Sequence, residues 1–406
     1  MGVSAEGLRR VQGLRLLDRV LPLLERLRPV GCERDRAGNR RLYMPQYVGL
    51  ILVSLMNPTL QSLRGLQQAS ELESVQRKLK ARRMSLGALS EAGHWFDPEP
   101  LQQIVAELLP QLPVCPWDER LGELNQKLLA VDGTLLKVLP QLTQACYVKS
   151  GGLGWKLHTQ FDVGRGIPEQ AVLTDALGAG ETSEANVLQR HLQRDCCYVM
   201  DRGYAQFALF NAIHELGSSY VCRIHQGRTF TPETARELSD EARQAGVVED
   251  AVGRAGATTS RAQPPRHAVR RIVVQLPADT TRPGRSSTGD GTTLILLTNR
   301  LDLPAEIVVL LYRYRWTIEL FFRYFKHVLG CQHLLCDHIR GIQIQAYCAL
   351  IVCLLIGLMG GRKPTKRTYE MICLYFQGWA TAEELQRHLE RLAAQEARKQ
   401  QAPKHS

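Results

Sequence analysis

The sequence predicts an α/β protein in which a mixed sheet is interrupted by a β-rich insertion and flanked by helical regions. The first observation behind this prediction is a change of pattern near Lys127. There, helical leucine spacing such as Leu14, Leu17 and Leu21 gives way to short apolar runs. The second is that these runs alternate between strand-like and helical periodicity. The third is the stretch 225–296, which is too long for a loop within a compact domain and contains two strand-like runs.

The elements predicted after residue 125 follow a defined order. Three strands come first, then a helix, a strand, a helix and a strand, at residues 128–134, 156–163, 169–176, 182–192, 196–201, 205–216 and 219–224. LLAVDGT is an apolar run that suits a buried strand, whereas KLHTQFDV alternates as a half-buried strand does. This order is that of the ribonuclease H-like fold, in which the first and fourth strands are neighbours.

Five parts are predicted along the chain. They are a helical N-terminal domain (1–120), the first part of the core (121–224), the β-rich insertion (225–296), the second part of the core (297–361) and a helical tail (362–406). A long helix is predicted from near Pro304, where proline suits the first helical turn, to about Leu329. Within the insertion, the arginine-rich residues 251–290 fit either DNA contact or a solvated surface.

Composition favours a polyanionic partner and a reducing compartment. The 406 residues carry a net charge of +11 and a pI near 9.2, which fits DNA, RNA or an anionic membrane. Eleven scattered cysteines do not form a disulfide framework, and residues 1–17 lack the continuous apolar stretch of a secretory signal. We therefore expect a cytoplasmic protein. The apolar run 346–359 is shorter than the ~20 residues of a membrane span, so it predicts a core helix and no membrane insertion.

Three acidic residues are candidates for catalysis. Asp132 and Asp201 each end an apolar strand, and in the predicted order both lie at one edge of the sheet, although a lone acid there is more often a turn former or helix cap. Glu319 lies on the predicted long helix. Three carboxylates in one cleft would repel one another unless divalent cations neutralise them. Oxygen ligands suit Mg²⁺ or Mn²⁺, and two such ions about 3.5–4 Å apart can activate the attacking and leaving oxygens of a phosphodiester.

The helix that carries Glu319 also carries other charged and polar residues. Placed on this helix at 100° per residue, Tyr312, Arg315, Glu319 and Lys326 fall within an arc of roughly 60°. The remaining directions are mostly apolar, and buried charge needs a partner or a ligand. The stripe therefore favours a functional site, while an Arg315–Glu319 salt bridge on a solvated edge is the alternative.

This pattern resembles the signature of the insertion-sequence-four (IS-four) family of DDE transposases: Tyr-x2-Arg-x3-Glu-x6-Lys at positions 312, 315, 319 and 326. Asp132-Gly-Thr and Asp201-Arg-Gly-Tyr look like the aspartate motifs of that family, and the likeness covers roughly residues 125–380. The resemblance implies cut-and-paste transposition of an insertion sequence. A metal-activated water nicks double-stranded DNA at the transposon end, and the freed 3′-OH attacks target DNA.

The resemblance also implies roles for particular residues. Asp132, Asp201 and Glu319 would be the catalytic and metal-binding carboxylates, served by two Mg²⁺ or Mn²⁺ ions. The other three residues of the signature, at 312, 315 and 326, would contact terminal phosphates, and residues 1–120 would bind the transposon ends. The enzyme would be prokaryotic and nucleoid-associated, and a homodimer in the DNA complex.

Several alternatives accompany this interpretation. Lys156 and His158 point to one face of a strand and are expected to reach DNA, but His158 suits a satisfied core histidine equally well. The run Cys331-x-His333-x2-Cys336-x-His338 lacks the long spacer of zinc modules, and KSGGLG lacks the arrangement of a nucleotide-binding loop. A non-catalytic DNA-binding descendant acting as a repressor and a ribonuclease H-like nuclease with another role remain the functional alternatives.

Overall fold

The computed structural model describes residues 17–32, 41–57, 59–114, 119–122, 124–137, 146–147, 153–256, 264–276, 293–329, 334–336, 338–360 and 365–401. The chain forms two compact units: unit 1 contains residues 1–115, 136–145 and 321–406, and unit 2 contains 116–135 and 146–320. The predicted N-terminal domain and C-terminal tail therefore belong to one unit and not to two. Two of the zinc-type residues, Cys331 and His333, lie outside the described residues, as do 257–263 and 277–292 of the arginine-rich stretch.

The N-terminal part of unit 1 is helical, as predicted. Its helices are α1 (Leu21–Glu25), α2 (Met44–Leu55), α3 (Leu63–Glu71), α4 (Glu73–Leu79), α5 (Leu86–Trp95) and α6 (Glu99–Leu108). The hydroxyls of Ser62 and Ser85 accept hydrogen bonds from the third backbone N–H groups of α3 and α5, which fixes where these helices begin. Every residue of α2 is buried, which matches its almost entirely apolar sequence.

Unit 2 is built on a mixed sheet. Its first strands are β1 (Lys127–Lys137), β2 (Cys146–Tyr147), β3 (Leu153–Asp162), β4 (Ile167–Asp175), β5 (Cys196–Met200) and β6 (Ser219–Ile224), with helices α7 (Glu184–Arg190) and α8 (Phe207–Glu215) between the later ones. The predicted strands and helices are confirmed with bounds shifted by three residues at most. Strand β4 pairs with β3, β3 lies beside β1, and β1, β5 and β6 are parallel neighbours.

The insertion continues this sheet. Strands β7 (Phe230–Ala235), β8 (Val247–Ala255), β9 (Val269–Gln275) and β10 (Thr293–Thr298), with the short helix α9 (Asp240–Gln244), follow β6 along the chain. Strand β10 pairs with β6, and the order then runs β10, β9, β8, β7. A buried pair joins β8 to β9: both Asp250 oxygens accept from the Arg270 guanidinium, at 2.8 and 2.6 Å. The β-rich segment is thus part of the sheet of unit 2.

The predicted continuous helix from Pro304 to Leu329 is wrong. It consists of α10 (Ala305–Arg313), α11 (Trp316–Arg323) and a π-helical segment, Tyr324–Val328. Between α10 and α11 the backbone makes tight bonds across three residues, from Arg315 N–H to Tyr312 O and from Thr317 N–H to Tyr314 O. The hydroxyl of Thr317 also donates to the carbonyl of Tyr314, at 2.6 Å. This side chain competes with the helical backbone for that carbonyl, so the helix breaks there.

The C-terminal part of unit 1 contains α12 (Ile339–Gly360), α13 (Lys366–Phe376) and α14 (Ala382–Gln401). Helix α12 is long and apolar enough to cross a membrane by composition alone, but 83% of its most apolar window is buried. It packs against α2, α5 and α6 within unit 1. Because it provides the core of this unit, α12 is the core helix that the sequence predicted.

Candidate active site

Two aspartates lie where β1 and β5 stop pairing. The parallel register pairs Val131 with Met200, so the next residues, Asp132 and Asp201, follow neighbouring strands at the same edge of the sheet. Each carboxylate accepts a backbone N–H at 2.8 Å, Asp132 from Gly133 and Asp201 from Gly203. These local bonds orient both carboxylates at the place where the two strands stop pairing. The prediction that Asp132 ends its strand is wrong, because β1 continues to Lys137, whereas Asp201 directly follows β5.

Arg315 connects the third acid to this edge. Its guanidinium lies 2.5 Å from an oxygen of Glu319 and 3.6 Å from an oxygen of Asp132. The predicted Arg315–Glu319 pair therefore exists, but it is not a pair on a solvated edge, because only 16% of the Arg315 side chain is exposed. One arginine in the break before α11 thus links a carboxylate of the helix to a carboxylate of the sheet.

The electrostatics of Asp132 reflect this crowding. Its pKa is raised from 3.8 to about 6, mainly by burial and in smaller part by the nearby charges of Asp201 and Glu184. The N–H of Gly133 and the charge of Arg315 act in the opposite direction. Repulsion between like charges in a shielded place therefore exceeds the compensation that one guanidinium provides.

Glu184 is a site residue that sequence reasoning missed. It is the first residue of α7, after the capping hydroxyl of Ser183, and its carboxylate forms a 2.6 Å ion pair with Lys156. In a sequence it resembles the ordinary acidic residue of a first helical turn. No pattern in the sequence distinguishes it from such a residue.

The other predicted site residues have different surroundings. Tyr312 is in α10, and burial raises its pKa. His158 is 5% exposed, and its Nε2 bonds to the Thr174 hydroxyl at 2.8 Å, as expected of a core histidine. Burial also lowers the pKa of His158 to about 4. Lys326 lies in the π-helical segment, which belongs to unit 1.

The donor chemistry of this edge fits a divalent cation. Its groups are carboxylate oxygens, which hard cations prefer, and the raised pKa of Asp132 marks negative charge that the protein compensates only in part. Among the residues that the structure describes, no three acidic, histidine or cysteine side chains are already arranged to hold one ion. Arg315 instead neutralises Asp132 and Glu319 together.

Carboxylates at the place where two parallel strands stop pairing, beside a shielded arginine, are typical of phosphoryl-transfer enzymes. Residues 123–355 match the protein family described as the transposase DDE domain. A Sinorhizobium fredii protein named as a transposase, y4zB, is 25% identical over 278 residues, which cover 64% of this chain and 73% of the relative. The cryo-EM structure of a piggyBac transposase synaptic complex with hairpin DNA matches with a TM-score of 0.44 at 10% identity, over 97% of this chain and 82% of that chain.

The match to the family spans more than half of the chain, so the chain belongs to the transposase DDE-domain family. Its function is DNA transposition, which such enzymes carry out by cleaving and rejoining DNA strands. The family uses divalent metal ions for this chemistry, in agreement with the carboxylate oxygens found at the sheet edge.

Proposed function

We propose that this transposase moves an insertion sequence by a cut-and-paste reaction of the IS-four type. Asp132, Asp201 and Glu319 are the catalytic carboxylates of this proposal, and they would hold two Mg²⁺ or Mn²⁺ ions. When bound, such ions lower the barrier to phosphoryl transfer by activating the attacking oxygen and stabilising the leaving oxygen. The strand order β4-β3-β1-β5-β6 supports a ribonuclease H-like core for this reaction.

The observation that carries the proposal is the double contact of Arg315. An i,i+4 pair alone is common on helix surfaces and adds little stability. This arginine also reaches Asp132, which comes from a strand far away in the sequence. The contact supports one site that contains all three carboxylates, although the two that Arg315 joins, Asp132 and Glu319, are 187 residues apart along the chain.

The residues of the chain would have distinct roles during the reaction. Asp132 and Asp201, held by their backbone bonds, would ligate the cation that binds the reacting phosphodiester. Arg315 would release Glu319 and Asp132, which would then be able to ligate the cation. Its guanidinium would instead bind a DNA phosphate, to which such groups bind strongly. Tyr312 and Lys326 would contact terminal phosphates.

Binding of transposon ends and of target DNA is assigned to the positive charge of the chain, +11 overall. The helical N-terminal residues would recognise the ends, and Lys156 remains a candidate DNA contact near the catalytic edge. His158 is buried, so it could contact DNA only if it became exposed. We infer a homodimer in the DNA complex, because both ends of the element must be processed together. Such an enzyme would act in a prokaryotic cytoplasm, at the nucleoid.

Strand cleavage of DNA that carries the element's own ends tests the proposal. Asp132→Ala, Asp201→Ala and Glu319→Ala should each reduce Mg²⁺- or Mn²⁺-dependent cleavage to background while end binding persists, because each carboxylate serves the cation and not the DNA. Asp240→Ala, at an exposed acid of α9, is the matched control and should cleave normally. Wild-type cleavage by any one of the three variants would remove that residue from the proposed triad.

A further inference from the structure

Glu184 occupies the space beside both aspartate motifs. A Cβ atom built on Gly133 would lie 2.7 Å from one carboxylate oxygen of Glu184, and one built on Gly203 would lie 2.7 Å from the other. The same Cβ on Gly203 would lie 3.1 Å from an oxygen of Asp201. A methyl group added at either position would therefore have to displace the carboxylate of Glu184, and at Gly133 also the Lys156 side chain, whose Cε would lie 2.7 Å away.

The contacts of Glu184 place it among the catalytic acids. Its charge and that of Asp201 both act on Asp132. Its counter-ion is Lys156, and the two side chains are only about one-fifth exposed, at 21% and 19%. A carboxylate that is shielded and close to other carboxylates needs a cation, and here the ammonium group of a lysine provides one.

Tyr204 gives a second, independent observation. It is the fully buried last residue of the Asp201 motif, and within the described part of the chain its hydroxyl has no hydrogen-bond partner. Glu184 and Tyr204 line the same cavity of about 10 Å³, which has room for about one water molecule. Burial raises the pKa of the Tyr204 hydroxyl well above its usual range, and the charges of Glu184, Asp132 and Asp201 also raise it. An unpartnered buried donor therefore lies in the cavity that Glu184 lines, where a water or another ligand could satisfy it.

We propose that Glu184 is a fourth carboxylate of the active site, which ligates the divalent cation held by Asp132 and Asp201. Lys156 is its counter-ion until that cation binds. The inference rests on the proposed function, since it assumes a cation at the sheet edge. In this proposal Glu184 contacts the cation directly. If its role were purely structural, Glu184 would only form the ion pair with Lys156.

Mn²⁺ binding to the full-length protein without DNA tests this role, measured by calorimetry or electron paramagnetic resonance. Glu184→Gln should weaken Mn²⁺ affinity at least about tenfold, and Glu184→Asp should weaken it by a similar factor, because the shorter side chain keeps the charge but withdraws the ligand. Gly203→Ala should also weaken binding, since its Cβ displaces the carboxylate. Asp240→Asn should bind as the wild type does.

Wild-type affinity in Glu184→Asp together with a loss in Glu184→Gln would overturn the proposal, because charge alone would then account for the effect. Wild-type affinity in both variants would overturn it as well. If Glu184→Gln does not fold, the pair Lys156→Gln/Glu184→Gln avoids an unpaired buried lysine, and its affinity should be at least about tenfold below that of Lys156→Gln alone. Equal affinities of these two variants would refute the assignment.

The proposed function fails in a different way. If the proposed function is wrong, Asp132→Asn and Asp201→Asn should have the same Mn²⁺ affinity as the wild type, independently of the affinity that the Glu184 variants show. If Asp132→Asn and Asp201→Asn lose Mn²⁺ affinity but the Glu184 variants do not, the proposed triad stands. Only the assignment of Glu184 as a fourth carboxylate is then refuted.

Discussion

Replacing Asp132 by asparagine should make the metal-free protein more stable at neutral and alkaline pH while it stops strand cleavage. The pKa of Asp132 rises on folding from 3.8 to about 6, and one pKa unit corresponds to about 1.4 kcal/mol. The side chain is 19% exposed; allowing for solvent screening, ionised Asp132 costs the fold about 1–3 kcal/mol. Asparagine removes this cost because it keeps the oxygen that accepts from Gly133 but carries no charge.

The pH dependence has a defined sign. A carboxyl whose pKa is raised on folding favours the folded state when it is protonated. This contribution is complete below pH 3.8 and is lost as the pH rises through about 6. Wild type and Asp132→Asn should therefore have similar stability near pH 4, and the variant should become progressively more stable up to about pH 6. Above that pH the difference should stay constant.

Urea denaturation in EDTA, at several values between pH 4 and pH 8, measures this difference. Asp162→Asn is the matched control, because the carboxylate of Asp162 is buried but accepts from the backbone N–H and the guanidinium of Arg165. Its removal should destabilise the protein by about 2 kcal/mol or more. A destabilised Asp132→Asn variant at pH 8, or a difference that does not change with pH, would refute the electrostatic account of the site.

Three further predictions concern the same charges. Mn²⁺ affinity should rise up to about tenfold per pH unit below pH 6 and level off above it, because Asp132 must lose its proton to ligate the ion; affinity that is flat from pH 5 to pH 7 would argue against Asp132 as a ligand. Lys326→Ala should make the slope of log DNA affinity against log salt shallower by roughly 0.9, whereas Glu319→Gln should leave the slope unchanged and stop cleavage. Asp250→Asn should destabilise unit 2 by about 3–5 kcal/mol in urea denaturation, because it leaves the Arg270 guanidinium buried without its partner.

The positions of Asp132 and Asp201 were predictable because the physical signal is local. An apolar run that ends on an acid indicates a buried strand with a polar end, and the order of elements indicates which strands are neighbours. The same reasoning predicted the strands β1, β3, β4, β5 and β6 and the helices α7 and α8 of unit 2, but not the short strand β2. It did not reveal that β10 pairs with β6, since nothing local in either strand specifies a partner so far along the chain.

The break at Tyr314 and Arg315 was not predictable from periodicity. The residues from 305 to 328 favour helix, and their apolar spacing continues through the break. The interruption depends on one hydroxyl, that of Thr317, bonding to a carbonyl three residues earlier. The free-energy difference between a continuous helix and a backbone interrupted by such a bond is small. Packing around the segment therefore determines whether the helix breaks.

The make-up of unit 1 was missed for a related reason. Helix α12 was correctly predicted as a core helix, but its apolar sequence does not specify which helices pack against it. The structure packs it against α2, α5 and α6. A fragment ending near residue 120 would expose the faces of those helices, so the predicted N-terminal domain depends on the C-terminal helices for its core.

The balance of charges at the sheet edge connects these observations to the metal requirement. The acids of this region are Asp132, Asp201, Glu184 and Glu319. Lys156 pairs with Glu184, and Arg315 pairs with Glu319 and Asp132. At neutral pH this leaves two uncompensated negative charges, which is the charge that one divalent cation neutralises. A second cation would reverse the sign, and the negative phosphodiester of bound DNA would reduce the resulting positive charge. The protein without DNA should therefore bind one ion tightly, and a second should bind only together with the substrate.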